Sequence, residues 1–228
     1  AAAPVVALII AKIGAYVILR VYPLLFGGHL ADGGQVLAPM ADLAGPWTTG
    51  MALLTLVVGS AGALASRTLR QLAATLTLVS IGTLFVPIAA GTEQSIAASI
   101  FYLIHSTLAT AALFLVAEWV GVQRGEVGDE LVPGPVLRHP VMIGAALLWA
   151  AVNSVGLPPT PGFLGKVMVL ASVGDSSLTI WLWLAVLASS FCALVAVARA
   201  LSVLLWNTVA KETAEDGEHE YLVPPAQL

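Results

Sequence analysis

The chain has 228 residues, 59% hydrophobic and only 10% charged, with a mean hydropathy of +0.95; a water-soluble domain of this length needs far more charge to cover its surface, so the composition excludes one. A net charge of −4, with 13 acidic and 9 basic residues of which the basic ones are scattered and never clustered, gives no support to nucleic-acid binding. The solvent is a lipid bilayer, and the fold class expected is all-α: a polytopic transmembrane bundle.

Crossing roughly 30 Å of hydrocarbon takes about 20 residues at 1.5 Å each, and polar or Gly/Pro-rich breaks divide the chain into about six segments of that size. It opens on Ala1-Ala2-Ala3-Pro4, with no initiator Met and no basic n-region, so it reads as an internal fragment or processed product without a signal peptide. The first span covers 4–26, and the Gly27-Gly28-His29 to Pro46 stretch reads as a loop on its Gly, Pro and Asp content. A second span covers 47–65, followed by the short turn Ser66-Arg67-Thr68-Leu69-Arg70. The third, 71–90, has no charge and ends at Gly91-Thr92-Glu93. The fourth covers 95–120, and the most charged interhelical loop runs from 121 to 140. The fifth, 141–173, is too long for one straight helix and is interrupted at Gly156-Leu157-Pro158-Pro159-Thr160-Pro161-Gly162. The sixth covers 178–206. Residues 1–210 thus form one bundle, and 211–228 an acidic cytoplasmic segment. Cys192 lies alone in an apolar run and reads as a helix-packing residue.

Cytoplasmic loops are enriched in Lys and Arg. With the N-terminus inside, Arg67, Arg70, Arg124, Arg138 and Lys211 all fall inside, while the loops around Asp32, Glu93 and Asp175 carry no Lys or Arg. Both chain ends are therefore expected in the cytoplasm, with the chain multi-pass in a bacterial inner membrane.

Five side chains in the spans, and one hydroxyl, are candidates for chemistry. Lys12 sits about a third of the way along the first span. A cation there costs roughly 2.5–3.5 kcal/mol on insertion scales, so it faces a protein or water interior unless its stem snorkels to the interface. Arg20, two turns on, is placed on nearly the same face, either beside that path or as an interfacial anchor. Lys166 follows the interruption directly. Pro158, Pro159 and Pro161 break the helix, with Gly162 at the break, and broken backbone at membrane depth is tolerated only where it is buried in protein or lines a wet cavity. An unwound segment beside a cation is how transporters build ion sites, and desolvation disfavours the ammonium enough for proton exchange; the competing reading is a structural kink. His105, near the middle of the fourth span and followed by Ser106, Thr107 and Thr110, suits either a proton relay with hydroxyl-held water or a packing bond to a neighbouring helix. Glu118, near the cytoplasmic end of that span, is interfacial or an access point. No metal-ligand spacing, nucleotide loop, nucleophile triad or quinone signature is present, so no cofactor and no covalent chemistry are expected.

At these residues the chain resembles the antiporter-like membrane subunits shared by the multisubunit Mrp-type monovalent cation/proton antiporters and respiratory complex I. Lys12-Ile13-Gly14-Ala15-Tyr16-Val17-Ile18-Leu19-Arg20 looks like the family's Lys-x-Gly-x-Tyr-x-x-x-Arg helix. Gly156-Leu157-Pro158-Pro159-Thr160-Pro161-Gly162-Phe163-Leu164-Gly165-Lys166 closely matches its Gly-Leu-Pro-Pro-x-x-Gly-Phe-x-Gly-Lys broken helix, a highly specific motif. The stretch from Tyr102 through His105 to Leu115 resembles its histidine-containing span, and the Ser106-Thr107-Leu108-Ala109-Thr110 run looks most like the D-type members of the Mrp antiporters.

The resemblance covers nearly the whole chain and implies about the eighth to thirteenth spans of a subunit of about fourteen. The family's glutamate and lysine on its fifth and seventh helices would then lie outside this piece, which should not transport alone. Lys12 and Lys166 match the family's two proton-path lysines in this half, and His105 its histidine. Two departures stand out. Thr110 occupies a position where many relatives have lysine, leaving that step to water and hydroxyls, and Leu72-Ala73-Ala74-Thr75-Leu76-Thr77 replaces a usual Leu-Ala-Tyr-Ser-Ser. The implied function is a subunit of a sodium/proton antiporter, not an enzyme, with partner membrane subunits, protons, sodium and the lipid bilayer as its contacts. The alternative is a proton-pumping subunit of a complex I-type dehydrogenase or membrane-bound hydrogenase.

Overall fold

The computed structural model describes residues 2–26, 38–90, 93–135, 137–174, 179–206 and 208–209. Within them the chain forms seven α-helices: α1 (Ala2–Phe26), α2 (Ala38–Ala65), α3 (Leu69–Ala90), α4 (Glu93–Arg124), α5 (Pro140–Val155), α6 (Pro161–Ala171) and α7 (Thr179–Trp206). Stretches 46–65, 69–89, 94–127 and 179–205 are each long and apolar enough to cross a membrane. The 25 residues of α1 reach about 37 Å, which also suffices. α5 and α6, at 16 and 11 residues, are each too short and together replace the expected fifth span.

The expected loop up to Pro46 needs correction, because α2 is helical from Ala38 and carries Pro46 inside it. One proline removes a single backbone donor, and Ala38, Met40, Ala41, Leu43 and Ala44 around it are good enough helix formers to continue through. α4 likewise runs four residues further than expected, to Arg124. Residues 27–37 and 175–178, with Asp32 and Asp175, and the acidic segment 211–228 with Lys211 lie outside the described residues.

Among the described residues the only paired strands are β1 (Gly134–Pro135) and β2 (Thr208–Val209), two residues each and parallel. They tie the loop after α4 to the end of α7. That loop also folds over the start of α3: the Leu69 amide donates to the Asp129 carbonyl at 2.8 Å, and the Leu131 amide to that of Arg67 at 2.7 Å. The Asp129 carboxylate then accepts the Arg70 amide at 2.9 Å, satisfying an orphan donor of the first turn of α3.

The buried apolar residues form two clusters rather than one. The first joins Leu72 and Leu76 of α3, Leu113 and Val120 of α4, Leu147 and Val155 of α5, and Ala196 and Leu204 of α7. The second joins Leu19 of α1, Leu56 of α2, Leu84 of α3, Tyr102 of α4, Val169 of α6 and Val186 of α7. On each of α3, α4 and α7 the stretch between the clusters is polar and buried: Thr77 and Ser80 on α3, Ser106 and Thr110 on α4, and Ser189 on α7. Asn153 near the end of α5 and Lys166 on α6 are buried in the same transition. A polar layer therefore crosses the bundle between two apolar ones.

Candidate functional site

The break between α5 and α6 creates the layer's acceptors. In a continuous helix the carbonyls of Ser154 and Val155 would receive the amides of residues 158 and 159, but both are proline and have no N–H. Two adjacent amides, of Gly156 and Leu157, both turn back to the Val152 carbonyl, at 2.9 and 3.2 Å. This leaves the Asn153 carbonyl free as well. Gly156 closes α5 in the left-handed region at φ 76°, the conformation glycine accepts without strain. α6 then restarts with Pro161 in its first turn, where a missing amide costs nothing. At Gly162 the backbones come closest: a Cβ there would overlap the Asn153 carbonyl oxygen and sit 2.8 Å from His105 Nε2.

Lys166 takes one of the freed carbonyls. It is 7% exposed, and its ammonium donates to the Val155 carbonyl at 2.6 Å and to Ser190 Oγ on α7 at 2.6 Å. A cation at the C-terminus of α5 also meets the negative end of that helix's dipole. Ser190 passes the polarisation on, its hydroxyl donating to the Val186 carbonyl at 2.8 Å.

His105 takes another. Its Nε2 lies 3.2 Å from the Asn153 carbonyl, and since a carbonyl only accepts, the ring proton is on Nε2 and Nδ1 is available as an acceptor when the ring is neutral.

Lys12 completes the row from the opposite side. It is 3% exposed and donates to Ser106 Oγ at 2.5 Å, a residue 94 positions away that adjoins His105. The ammonium is thus turned inward, not snorkelled to an interface. Hydrogen bonds now link α1 to α4, α4 to α5, α5 to α6 and α6 to α7 at one depth. Among the described residues neither lysine is paired with a carboxylate. All their partners are hydroxyls and carbonyls, neutral groups that solvate an ammonium without an opposite charge beside it.

The remaining expected residues stand outside the row or beside it. Arg20 is exposed, while Lys12, Ala15 and Leu19 define the buried face of α1; its expected place on Lys12's face fails because eight residues advance the helix about 80° past whole turns. Thr110 is buried, but its hydroxyl donates to the Ser106 carbonyl at 2.7 Å within its own helix. Glu118 is held by Arg70 at 2.5 Å, and Arg70 also reaches Asp129 at 3.5 Å, which makes Glu118 part of an ion-paired rim. Sequence reading passes over Ser190 and Asn153, and takes Ser106 only as a generic hydroxyl. It also passes over Arg199, which lies in the last two turns of the apolar α7 and donates to the Ser66 carbonyl at 2.5 Å.

The profile of the family described as "NADH:quinone oxidoreductase/Mrp antiporter, TM" matches residues 1–192. Among curated proteins, the D-type subunit of a probable K(+)/H(+) antiporter of Rhizobium meliloti is 29% identical, over 73% of this chain and 33% of its own length. The D-type subunit of the Na(+)/H(+) antiporter of Bacillus subtilis is 29% identical over 90% of this chain and 39% of its own. The chain thus spans little more than a third of the length of these relatives. Among solved structures, the archaeal membrane-bound sulfane sulfur reductase has a chain with a TM-score of 0.70 at 19% identity, covering 88% of this chain and 40% of that one. Respiratory complex I from Thermus thermophilus has one with a TM-score of 0.69 at 22% identity, covering 85% and 38%; at these identities the likeness is one of fold. With the family profile matched over most of its length, this chain belongs to the NADH:quinone oxidoreductase/Mrp antiporter transmembrane family.

Proposed function

We propose that this chain is the part of a D-type antiporter subunit in which Lys12, His105 and Lys166 move protons across the bundle at mid-membrane, in exchange for sodium moved by the assembled complex. One observation carries the reading: two lysines buried at one depth, each solvated by a serine of another helix and lacking a carboxylate partner among the described residues. An ammonium fixed by a carboxylate stays charged, whereas one solvated only by neutral dipoles can lose its proton and regain it. The antiporter names of the curated relatives support exchange of a monovalent cation for protons. The chain acts as a transporter subunit rather than an enzyme, with other membrane subunits as its partners and lipid around it. It sits in a bacterial inner membrane with the Arg67, Arg70 and Arg124 end inside, a reading that the bias of basic residues supports.

The protonated form of Lys166 is held by Val155 and Ser190. When its proton leaves, Ser190 Oγ can rotate to donate to the neutral amine, so both states keep a partner. His105, with Nε2 committed to Asn153, keeps Nδ1 as the ring nitrogen that can take up a proton and return it.

The test is cation-driven proton flux in inverted vesicles carrying the full-length subunit with its partner subunits. Lys166→Ala should reduce flux to the vesicle background while assembly stays intact; unchanged flux sinks the reading. A second reading, a proton pump driven by electron transfer, draws on the fold shared with the two respiratory complexes. Flux that appears only with an electron donor, and not with added sodium, selects it.

A further inference from the structure

We propose that Arg199 and Arg67 form a headgroup site for an anionic phospholipid, with the phosphate on the two guanidiniums and an acyl chain along the exposed ridge of α7. The site is separate from the proton row: Arg199 is linked to the end of α2, at the ion-paired rim. Its Nη2 donates to the Ser66 carbonyl at 2.5 Å and lies 3.4 Å from Ser66 Oγ. Ser66 is buried, whereas Arg199 is exposed. This one anchor uses one nitrogen of a group with five N–H donors. Arg67, the next residue after Ser66, is also exposed, and its backbone amide is already taken by Gln71 at 3.0 Å.

The charge at this end is unevenly spent. Glu118 and Asp129 are engaged by Arg70, and buried Arg124 donates to the Glu130 and Val132 carbonyls. Among the described residues no carboxylate pairs with Arg67 or Arg199. Below Arg199, at four-residue spacing on α7, lie Leu187, Phe191 and Val195, all exposed. Four-residue spacing forms a continuous ridge on a helix. An apolar ridge that ends in two guanidiniums with no carboxylate partner among the described residues matches a lipid in shape and sign: tail on the ridge, phosphate in the fork. Basic pockets between helices on the cytoplasmic side take anionic headgroups for the same reason.

The test uses the full-length subunit in its native complex, reconstituted in nanodiscs with spin-labelled phosphatidylglycerol or phosphatidylcholine. The expected result is a motionally restricted phosphatidylglycerol population that phosphatidylcholine does not match. Arg67→Gln leaves the Arg199–Ser66 anchor in place and should weaken the preference by about fivefold; Arg67→Gln with Arg199→Gln should remove it. If the double variant fails to assemble, Arg67→Gln alone decides. Equal restriction of both lipids, or a preference unmoved by Arg67→Gln, overturns the proposal. So does loss of the preference on adding millimolar inorganic phosphate, which would mark a free-anion site, or a cross-link from Phe191→Cys to a partner subunit, which would mark a protein interface.

Discussion

The two charged layers of this bundle solve the same problem in opposite ways. At the rim, Arg70 is matched by Glu118 and Asp129, and Arg124 closes the loop over α3 through two backbone carbonyls. At mid-depth, Lys12 and Lys166 have only serine hydroxyls and a helix-end carbonyl. Arginine stays protonated wherever it is placed, so the rim cations are permanent fixtures that orient a loop. A lysine among neutral dipoles retains a choice of two states. The cation and its partner together separate a structural charge from an exchangeable one.

That contrast can be broken at several points. The largest loss is expected from Lys12→Ala, which removes one end of the row: cation-driven proton flux in vesicles should fall to background. Next is Ser190→Asp, which gives Lys166 the kind of partner Arg70 has. The ammonium should then be fixed, and flux should fall by about tenfold or more while the complex still assembles. Ser190→Ala is the milder form. It leaves Lys166 with the Val155 carbonyl alone, costing about 1–3 kcal/mol and lowering flux less than the aspartate does, with Ser190→Thr restoring it.

The break itself supplies a further test. Gly162→Ala places a methyl group against the Asn153 carbonyl and His105, and thermal unfolding should show a loss of about 1–3 kcal/mol. The smallest effect is expected at the rim: Glu118→Gln should leave flux unchanged, because Arg70 retains Asp129. A clear loss of flux in that variant would return Glu118 to the role of access point for protons.

Much of the row is legible from local signals. A lysine in an apolar run, a histidine amid hydroxyls and a Pro/Gly cluster each announce themselves within one segment, as Lys12, His105 and residues 156–162 do. The partners are not legible in the same way. Serine is common in membrane helices, and Ser106 and Ser190 gain meaning only when helices separated by 94 and 24 residues meet. The Asn153 and Val155 carbonyls belong to the backbone, and only the geometry of the break shows which side chains they receive. Arg20 fails for a simpler reason: a two-turn spacing reads as one face when it is about 80° away. Arg199, far from any motif, stands out only through its contact with Ser66.

The most direct test of the central claim is Lys166→Arg in the full-length subunit, measured as sodium-driven proton flux in inverted vesicles. Arginine retains the charge and the donors for Val155 and Ser190, but it does not release its proton in a protein. Loss of flux to the level of Lys166→Ala, in a complex that still assembles, is the predicted result. Flux near that of the unaltered protein would contradict the account, since a permanent cation would then suffice where an exchangeable one is required.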